Sequence, residues 1–367
     1  MSLSKRHIVI VTSEFPPQPG GIGNHAYNLA LYLSKQNFTV QVITDQRSEN
    51  GEEEEHFDRT LPFDITRIKR HDVRYKMYIN RIIVTRKSFK NASYIIATGK
   101  FSLWNIGLLG FFRNVPTMAV IHGTEVNFKS FFLRKSVDIA LKTFDKIVAV
   151  SNYTKELVSH LDRDVHIIPN GINISKWQLV EASAIELQGK PSLTTVGRVS
   201  SRKGQLNVIK HLPKLIEKFP ELHYHCIGIP TEADAFRIEA KRLNVVNHIT
   251  FHGSLDGQLL KQMLSKTDVF VMLSSEDKFG DVEGFGIAIL EANALGVPAI
   301  GSKECGIEDA IQPNVSGELV VFDNPEQLST ALEKILSNKR AYQIEAKNWA
   351  ERHDWSNIIK QYMTLLE

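Results

Sequence analysis

The sequence predicts an α/β protein made of two doubly wound, Rossmann-like domains that face each other across a cleft. The chain has 367 residues, which is enough for two α/β domains of ordinary size. Short apolar segments alternate with helical patterns in both halves, as is typical of mostly parallel sheets covered on both faces. Polar, glycine-containing loops follow several of these segments, at the strand ends where doubly wound sheets bind ligands.

The first half contains short apolar segments that we interpret as strands, with helical patterns between most of them. The predicted strands are 7–13, 39–44, 65–69, 94–97, 117–121, 146–151 and 165–168, and two of the predicted helices are 22–36 and 134–143. The glutamate-rich segment 48–57 is expected to be an exposed loop. A turn signal at 168–172 and a weakly periodic linker at 174–190 lead us to place an N-terminal domain at residues 1–175.

The second half begins a new alternation of strands and helices. The predicted strands are 192–196, 222–227, 248–252, 268–273, 298–301 and 318–321, and the predicted helices are 205–219, 231–243, 256–265 and 325–337. The tail, 339–366, contains two helical patterns joined near Asp354 and Trp355. We assign residues 176–346 to a C-terminal Rossmann-like domain and 347–367 to a C-terminal helix.

Composition and charge argue against several classes of protein. The formal net charge is only +3, so bulk electrostatics gives no reason to expect a nucleic-acid partner. No apolar run is long enough to span a bilayer, and Arg6 leads directly into a short strand, so no signal peptide is expected. Cys226 and Cys305 lack the spacing of metal ligands. These features favour a reduced, cytoplasmic protein.

The most informative stretch is a polar loop that becomes an amphipathic helix. It contains Glu283, Gly284, Phe285, Gly286, Ile287 and, four residues further on, Glu291. A helix N-terminus favours a phosphate, and glycine lets a ligand come close to the backbone. The two carboxylates suit hydroxyl groups of a sugar or a ribose instead, so the stretch predicts a site for a nucleotide diphosphate sugar. The alternative is a surface loop with solvated glutamates followed by a core helix.

A basic loop, 197–204, follows the first predicted strand of the C-terminal domain. Arg198 offers a planar fork and Lys203 a point charge, a combination that suits a diphosphate. Arg202 lies between them in sequence. Alone, such a loop is more often a merely exposed basic segment, but its presence in the same domain as Glu283 and Glu291 favours a diphosphate site.

The glycine-rich loop after the first strand allows two interpretations. The spacing Gly21-x-Gly23-x-x-Ala26, with Asp45 further on, matches a dinucleotide fingerprint and would indicate an NAD-dependent dehydrogenase. That fingerprint needs a tight turn directly after the strand, whereas three prolines and several other residues intervene here. The longer loop, which includes Gly20, fits a wider ligand-binding loop or a flexible connector.

His122 and Glu125 form a fourth motif, directly after a buried strand. A histidine at such a position faces the expected ligand cleft, and a nearby carboxylate can orient or charge it. Glu125 itself has two interpretations: it places an acceptor hydroxyl, or it is a solvated acid of the loop.

Together, these motifs resemble the retaining glycosyltransferases of family 4 (glycosyltransferase group 1), which have the GT-B fold. Glu283 and Glu291, with seven residues between them, match the two-glutamate signature of this family. The intervening loop 276–282 is most similar to members that mannosylate phosphatidylinositol or extend other glycans. The motifs span residues 16–291, and the domain pattern covers nearly the whole chain. In the family the last helix often returns to the first domain, which the resemblance implies for 347–367.

The resemblance also implies roles for individual residues. The implied catalytic residues are His122, Arg198, Lys203 and Glu283. The implied donor-binding residues are Gly21, Gly23, Arg198, Lys203, Glu283, Gly284, Phe285, Gly286, Ile287 and Glu291, and the implied acceptor-binding residues are Gly20, Gly21 and Glu125. We expect no metal cofactor, because the spacing of Asp277 and Asp281, in the loop after the predicted strand 268–273, is a poor match to the Asp-x-Asp motif of metal-dependent transferases.

The expected function is therefore transfer of a hexose from a nucleotide diphosphate sugar to a glycan or lipid-linked acceptor. A non-catalytic nucleotide-sugar-binding homologue and the NAD-dependent dehydrogenase are the alternatives. A basic segment suggests contact with the anionic inner face of a membrane, although a solvated helix face explains the same charges. Its residues are Arg67, Lys69, Arg70, Arg74, Lys76, Arg81, Arg86, Lys87 and Lys90, and phenylalanines 111, 112, 131 and 132 lie further along.

Overall fold

The computed structural model describes residues 6–71, 73–110, 114–178, 185–277 and 280–367. The chain divides into two compact units: Met1–Asn170 together with Trp355–Glu367, and Gly171–Asp354. Each unit contains one sheet in which all paired strands are parallel. The predicted α/β fold with two Rossmann-like sheets is confirmed.

The first unit is built on a seven-stranded sheet of order β3-β2-β1-β4-β5-β6-β7. Its strands are β1 (His7–Thr12), β2 (Thr39–Asp45), β3 (Asp64–Ile68), β4 (Tyr94–Thr98), β5 (Thr117–Ile121), β6 (Lys146–Ala149) and β7 (Val165–Ile167). Its helices are α1 (Gly21–Lys35), α2 (Glu52–Asp58), α3 (Arg74–Ser88), α4 (Lys100–Leu109), α5 (Phe131–Leu141), α6 (Asn152–Glu156) and, at the end of the chain, α13 (Trp355–Leu366). The strand order reverses between β1 and β4, which makes this the switch point of the sheet.

The second unit has a six-stranded sheet of order β10-β9-β8-β11-β12-β13. Its strands are β8 (Ser192–Val196), β9 (His223–Ile227), β10 (Ile249–Gly253), β11 (Val269–Met272), β12 (Ala299–Ser302) and β13 (Gly317–Val320). Its helices are α7 (Gln205–Lys218), α8 (Ala233–Arg242), α9 (Gly257–Ser265), α10 (Ile287–Ala294), α11 (Pro325–Ser337) and α12 (Lys339–Arg352). Here the switch point lies between β8 and β11.

The central strands are buried along their length, which explains their continuous apolar sequences. All residues of β4, β5 and β11 are buried. A parallel sheet covered by helices on both faces removes both sides of each strand from water, so alternation of apolar and polar residues disappears. These segments were therefore recognisable as strands by their shortness and β-branched content.

The segment 48–57 was wrongly predicted to be an exposed loop. Most of it belongs to α2, and Glu54 is completely buried. Its carboxylate accepts hydrogen bonds from the backbone N–H groups of Arg47 (2.6 Å) and Ser48 (3.1 Å), and Arg67 Nη1 lies 3.6 Å away. A run of glutamates in the sequence does not show which single carboxylate has partners that compensate its burial.

The two tail helices belong to different units. Helix α12 packs on α10 in the second unit, whereas α13 packs on α1 in the first. Residues 171–175 and 347–354, which the sequence analysis placed in the N-terminal domain and in the tail, accordingly lie in the second unit. Parts of the predicted linker and phenylalanines 111 and 112 fall outside the described residues. In the described part of the chain, no helix combines the length and apolar character needed to cross a bilayer.

Candidate active site

Two loops at the switch point of the second sheet form the best-defined site. One follows β8 and contains Arg198 and Lys203, and the other follows β11 and leads into α10 through Glu283 and Gly286. Because β8 and β11 are adjacent and parallel, their carboxyl ends lie side by side at one edge of the sheet. Loops that are separated by about 80 residues of chain thus meet where doubly wound folds bind ligands.

Glu283 is the centre of this site because two cations share its carboxylate. Lys203 Nζ lies 2.6 Å and Arg202 Nη1 lies 2.7 Å from Glu283 Oε2. Burial alone would raise the pKa of Glu283, but Lys203 and then Arg202 outweigh it and lower the pKa to about 2. The carboxylate is therefore ionised at neutral pH and neutralises part of the positive charge of the loop.

Glu291, one turn into α10, has the opposite electrostatic situation. Burial raises its pKa to about 7, and Lys203 opposes this only in part. Two carboxyl groups in one site are thus held in different states, one charged and one close to half-protonated at neutral pH. Groups with perturbed pKa values at a strand-end site are typical of functional sites, and they also occur in structural ion-pair networks.

Glycine with a left-handed backbone shapes both loops. Gly204 has φ +81° and ends the basic loop, and a Cβ on it would lie 2.1 Å from the carbonyl carbon of Leu273. Gly286 has φ +86° and immediately precedes α10. The first glycine brings the Lys203 loop against the end of β11, and the second starts the helix whose N-terminal N–H groups face the loop.

Two of the basic residues differ from their sequence-based interpretation. Arg198, the predicted phosphate fork, has an exposed side chain, while its backbone carbonyl accepts a hydrogen bond from Gln205 Nε2 (3.2 Å). Arg202, the less securely matched residue, forms the ion pair with Glu283. Its position next to Lys203 was the only sequence signal, because a loop conformation decides which of two neighbouring cations faces inward.

Asp277 and Asp281 close a turn within the loop after β11. The Asp281 backbone N–H donates to Asp277 Oδ1 (2.9 Å), and the Asp277 N–H donates to the Asp281 carbonyl (3.0 Å). This hydrogen bonding gives the pair a structural role. Among the described residues, no group of three or more His, Cys, Asp or Glu side chains could hold a metal ion; metal independence stays a prediction.

In the first unit, the glycine-rich loop does not have the geometry of a dinucleotide fingerprint. Gly21 and Gly23 lie in the first turn of α1, after the long loop that follows β1. Asp45, which would have read an NAD ribose, is buried and faces Arg81, whose Nε lies 2.7 Å from Asp45 Oδ1. The dehydrogenase interpretation is therefore wrong, because its acidic residue is committed to a buried ion pair.

Glu14 is a residue of this loop that the sequence analysis missed. A Cβ on Gly20 would lie only 2.3 Å from Glu14 Oε2, so glycine at this position leaves room for the carboxylate. The signal was available in the sequence, because Glu14 follows β1 almost directly and β1 ends at the switch point of its sheet.

His122 and Glu125 lie after β5, and the histidine is half-buried. His122 Nε2 is 2.9 Å from Thr98 Oγ1, and its backbone N–H donates to Glu125 Oε1 (2.5 Å). Burial lowers the pKa of His122 to about 3 and raises the pKa of Glu125 to about 7. Glu125 is completely buried, so its interpretation as a solvated loop acid is wrong; a contact with an acceptor stays a prediction.

The fold is shared with solved glycosyltransferase structures. Sucrose-phosphate synthase from Thermosynechococcus elongatus superimposes with a TM-score of 0.79 at 19% identity, covering 98% of both chains. HepE from Anabaena, solved with UDP and glucose, gives a TM-score of 0.78 at 17% identity and covers 98% of this chain and 99% of HepE. The two sheets and their strand-end loops define a protein of the GT-B class.

Family models then identify the chain more narrowly. Residues 180–356 match the group 1 glycosyl transferases, and residues 19–176 match Glycosyltransferase Family 4. The chain belongs to these glycosyltransferases and is a transferase enzyme, which confirms the family expected from the motifs.

Curated relatives cover the chain almost completely. It is 25% identical to a GDP-mannose-dependent monoacylated alpha-(1-6)-phosphatidylinositol monomannoside mannosyltransferase of Corynebacterium glutamicum, over 97% of this chain and 96% of the relative. It is 24% identical to an uncharacterized glycosyltransferase of Methanocaldococcus jannaschii, over 96% of each.

Proposed function

We propose that this enzyme transfers a hexose from a nucleotide diphosphate sugar to a glycan or lipid-linked acceptor, with retention of configuration at the anomeric carbon. The observation that carries the donor half of this proposal is the pairing of Lys203 with Glu283 immediately before α10. A cation, a helix N-terminus and a carboxylate occur in one loop cluster. The cation and the helix N-terminus suit phosphates, and the carboxylate suits sugar hydroxyls.

The ion pair suggests how the donor enters. Diphosphate oxygens compete with Glu283 for Lys203, and Arg202 continues to hold the carboxylate when Lys203 turns to the ligand. Glu283 can then accept a hydrogen bond from a sugar hydroxyl in place of the one from Lys203. Exchange of one partner for another keeps every charge in the site neutralised, so the exchange avoids the cost of an unpaired buried charge.

Catalysis rests on the charge that develops as the bond between sugar and diphosphate breaks. Lys203, Arg198 and the N-terminus of α10 stabilise the leaving diphosphate more strongly than the bound donor, because its negative charge increases in the transition state. The first turn of α10, which begins at Ile287, supplies the helix end, and Gly284, Phe285 and Gly286 lead the chain into it. Glu291 binds the ribose. The acceptor attacks from the face that the diphosphate leaves, which gives retention.

The loops of the first unit are proposed to serve the acceptor and the sugar. Gly20 and Gly21 are assigned to the acceptor: nothing lies within 4 Å of a Cβ on Gly21, and Gly20 leaves room for the Glu14 carboxylate beside it. Gly23 allows α1 to pack closely on the loop after β1. His122 contacts the donor sugar. Glu125 supports this loop through its hydrogen bond from the His122 backbone, which makes its effect on an acceptor indirect.

Binding of the donor is tested by a thermal-shift panel of GDP-, UDP- and ADP-sugars. A ligand present at a hundred times its Kd stabilises the folded state by about 2.7 kcal/mol, so one base should raise the melting temperature clearly above the other two. The same panel on Lys203→Ala should show the shift reduced. Failure of every nucleotide sugar to stabilise the wild type would contradict the proposal.

Transfer itself is tested with the best donor and two kinds of acceptor, phosphatidylinositol mannosides and soluble oligosaccharides. The named mannosyltransferase relative and HepE, solved with UDP and glucose, motivate GDP-mannose and UDP-glucose as first donors. NMR of the product identifies the anomer, and an inverted configuration would refute the retaining mechanism.

We also infer a cytoplasmic location with peripheral contact to an anionic membrane. Helix α3 supports this through exposed Arg86 and Lys87 next to exposed Tyr75, Ile79 and Ile83. Further apolar surface lies on α5, where Phe131 is 72% and Phe132 is 82% exposed. Basic side chains near anionic lipids contribute about 1 kcal/mol each, and exposed aromatic rings suit the interface.

A further inference from the structure

The C-terminal helix α13 contacts a buried histidine of α1, His25. His25 is only 2% exposed, and its Nε2 lies 3.0 Å from Tyr362 Oη. The His25 ring also packs against Trp355, at 5.3 Å between ring centroids, and against Tyr362 at 5.9 Å. Both aromatic residues are completely buried, so the position of His25 is determined by the tail of the chain.

Stability does not explain why this position is a histidine. The second ring nitrogen, His25 Nδ1, is buried and has no hydrogen-bond partner among the described residues. A buried polar atom without a partner costs about 1–3 kcal/mol, which an apolar residue of similar shape would avoid. The presence of a histidine here in spite of this cost points to a requirement other than packing.

The other side of the His25 ring meets His122. The two ring centroids are 4.8 Å apart and the rings are inclined at 76°, an edge-to-face contact. His122 has its own hydrogen bond at Nε2 to Thr98. Thr98 therefore holds one nitrogen of the His122 ring, and His25 restricts rotation of the ring about that anchor.

We propose that His25 is a positioning residue, held by Tyr362 of α13, that fixes the ring orientation of His122. The inference rests on the proposed function, which places His122 against the donor sugar. The structure thereby makes the C-terminal helix a part of the transfer machinery, because the chain Tyr362–His25–His122 connects it to the loop after β5.

Charge is compatible with this chain of contacts near pH 6. Burial and then His122 lower the pKa of His25 far below its usual value, and burial lowers the pKa of His122 to about 3. Glu125, whose carboxylate accepts from the His122 backbone, has its pKa raised by burial to about 7, and burial raises the pKa of Tyr362. These groups are then all uncharged, so no repulsion opposes the contact between the two imidazoles.

The first test compares two tyrosine hydroxyl deletions in the tail. Tyr362→Phe removes the hydrogen bond to His25, and Tyr342→Phe removes the hydroxyl of another buried tyrosine, which donates to Glu318 in the other unit. Because slight misplacement of a group at the reacting centre is costly, we expect kcat to fall about tenfold in Tyr362→Phe with donor KM within about twofold of wild type. An equal kcat in the two variants would overturn the proposal.

The second test does not depend on turnover. NMR of labelled histidine follows the His122 ring in wild type, in Tyr362→Phe and in His25→Asn. We expect the His122 resonances to move in both variants and to stay unchanged in Tyr342→Phe. Unchanged His122 resonances in Tyr362→Phe would overturn the positioning role even if kcat fell. Shifted resonances in a protein without transferase activity would support the positioning contact while refuting the proposed function.

Discussion

Lys203 illustrates how one side chain links the fold to the proposed chemistry. It comes from the loop after β8, yet its ammonium group contacts Glu283 from the loop after β11. Lys203 also affects the pKa of both carboxyl groups: it lowers the pKa of Glu283 and opposes the rise in the pKa of Glu291. A change at Lys203 therefore alters the charge of the whole loop cluster as well as its ability to bind a phosphate.

Replacing the proposed diphosphate cations should slow the reaction. We expect Lys203→Ala and Arg198→Ala each to reduce turnover by at least about tenfold, about 1.4 kcal/mol in activation free energy, because both act on charge that develops in the transition state. Steady-state kinetics at saturating donor measures the effect. Lys214→Ala, which removes an exposed lysine paired with Glu326, is the matched control. Full activity in either site variant removes that residue from the mechanism.

The raised pKa of Glu125 predicts that the stability of the protein depends on pH. Its pKa is about 7 in the folded protein against 4.5 as the ordinary value, so folding favours the protonated form. This contribution is fully present below pH 4.5 and is lost as the pH rises through 7, with a slope of at most about 1.4 kcal/mol per pH unit.

Glu125→Gln should make the stability of the protein depend less on pH, because the amide cannot ionise and keeps an oxygen that can accept from the His122 N–H. Denaturant unfolding at pH 5 and pH 8 measures the difference. The control is Glu326→Gln at an exposed position, which should leave the difference in stability between pH 5 and pH 8 as in wild type. A wild-type-like pH dependence in Glu125→Gln would show that Glu125 is already ionised in the folded protein.

At the scale of elements, the site depends on how closely the loops after β8 and β11 approach each other. Gly204 sits where the two loops touch, and Gln205 starts α7 immediately after it. The backbone of Gly204 is left-handed, and the carbonyl carbon of Leu273 occupies the space that a side chain would need. The loop that carries Lys203 can take this path only because residue 204 has no side chain.

Gly204→Ala should destabilise the protein by more than about 1 kcal/mol and weaken donor binding, because the backbone strain and the contact with Leu273 must both be relieved by moving the loop. Gly257→Ala is the control at another helix start, where nothing lies within 4 Å of the new Cβ, and it should be neutral or slightly stabilising. Denaturant unfolding and donor titration measure the two effects. Equal stability of the two variants would contradict the close approach.

Fewer residues of the basic segment, 67–90, are available to a membrane than the sequence predicted. Arg81 is buried against Asp45, and Arg67 pairs with Asp58 at 2.7 Å, so neither guanidinium is available to a membrane. The exposed basic residues include Lys76, Arg86 and Lys87. The sequence placed all these charges on one segment but could not show which of them have carboxylate partners in neighbouring elements.

Sedimentation with vesicles tests the corrected face. We expect the protein to bind anionic vesicles and to ignore neutral ones, with binding weakened by salt because the screening length falls to about 10 Å at 0.1 M. Arg86→Glu with Lys87→Glu should reduce vesicle binding and spare donor binding. Lys241→Glu with Lys266→Glu makes the same change of charge in the second unit and should have no effect. Equal binding to neutral vesicles would assign the contact to the exposed aromatic residues instead.

For the whole enzyme, metal independence is the remaining prediction. Lys203, Arg198 and the N-terminus of α10 supply the positive charge that a leaving diphosphate requires, so EDTA should leave transfer largely intact. The control is the same assay with a large excess of magnesium added after EDTA. Complete loss of activity that magnesium or manganese restores would show that the proposed cations are insufficient.

The sequence by itself determined the fold class, the family and the loops that carry the site. Parallel strands that are buried on both faces have short apolar sequences, and the ends of helices are marked by glycine and proline. Strands and helix ends can therefore be recognised from a few consecutive residues. The prediction that the loop becomes a helix within the two-glutamate stretch is confirmed by α10, which begins at Ile287. The roles of the individual site residues stay predictions.

Only the tertiary structure decided which charges are paired. Lys203 and Arg202 meet Glu283, Arg81 meets Asp45, Glu54 and Glu125 are buried, and His25 contacts both α13 and His122. The ion pairs and the His25 contacts join side chains from different elements, and the energy of a charge depends on its burial and its partners. Periodicity in a sequence reports which face of an element is apolar, but it carries no information about what packs against that face.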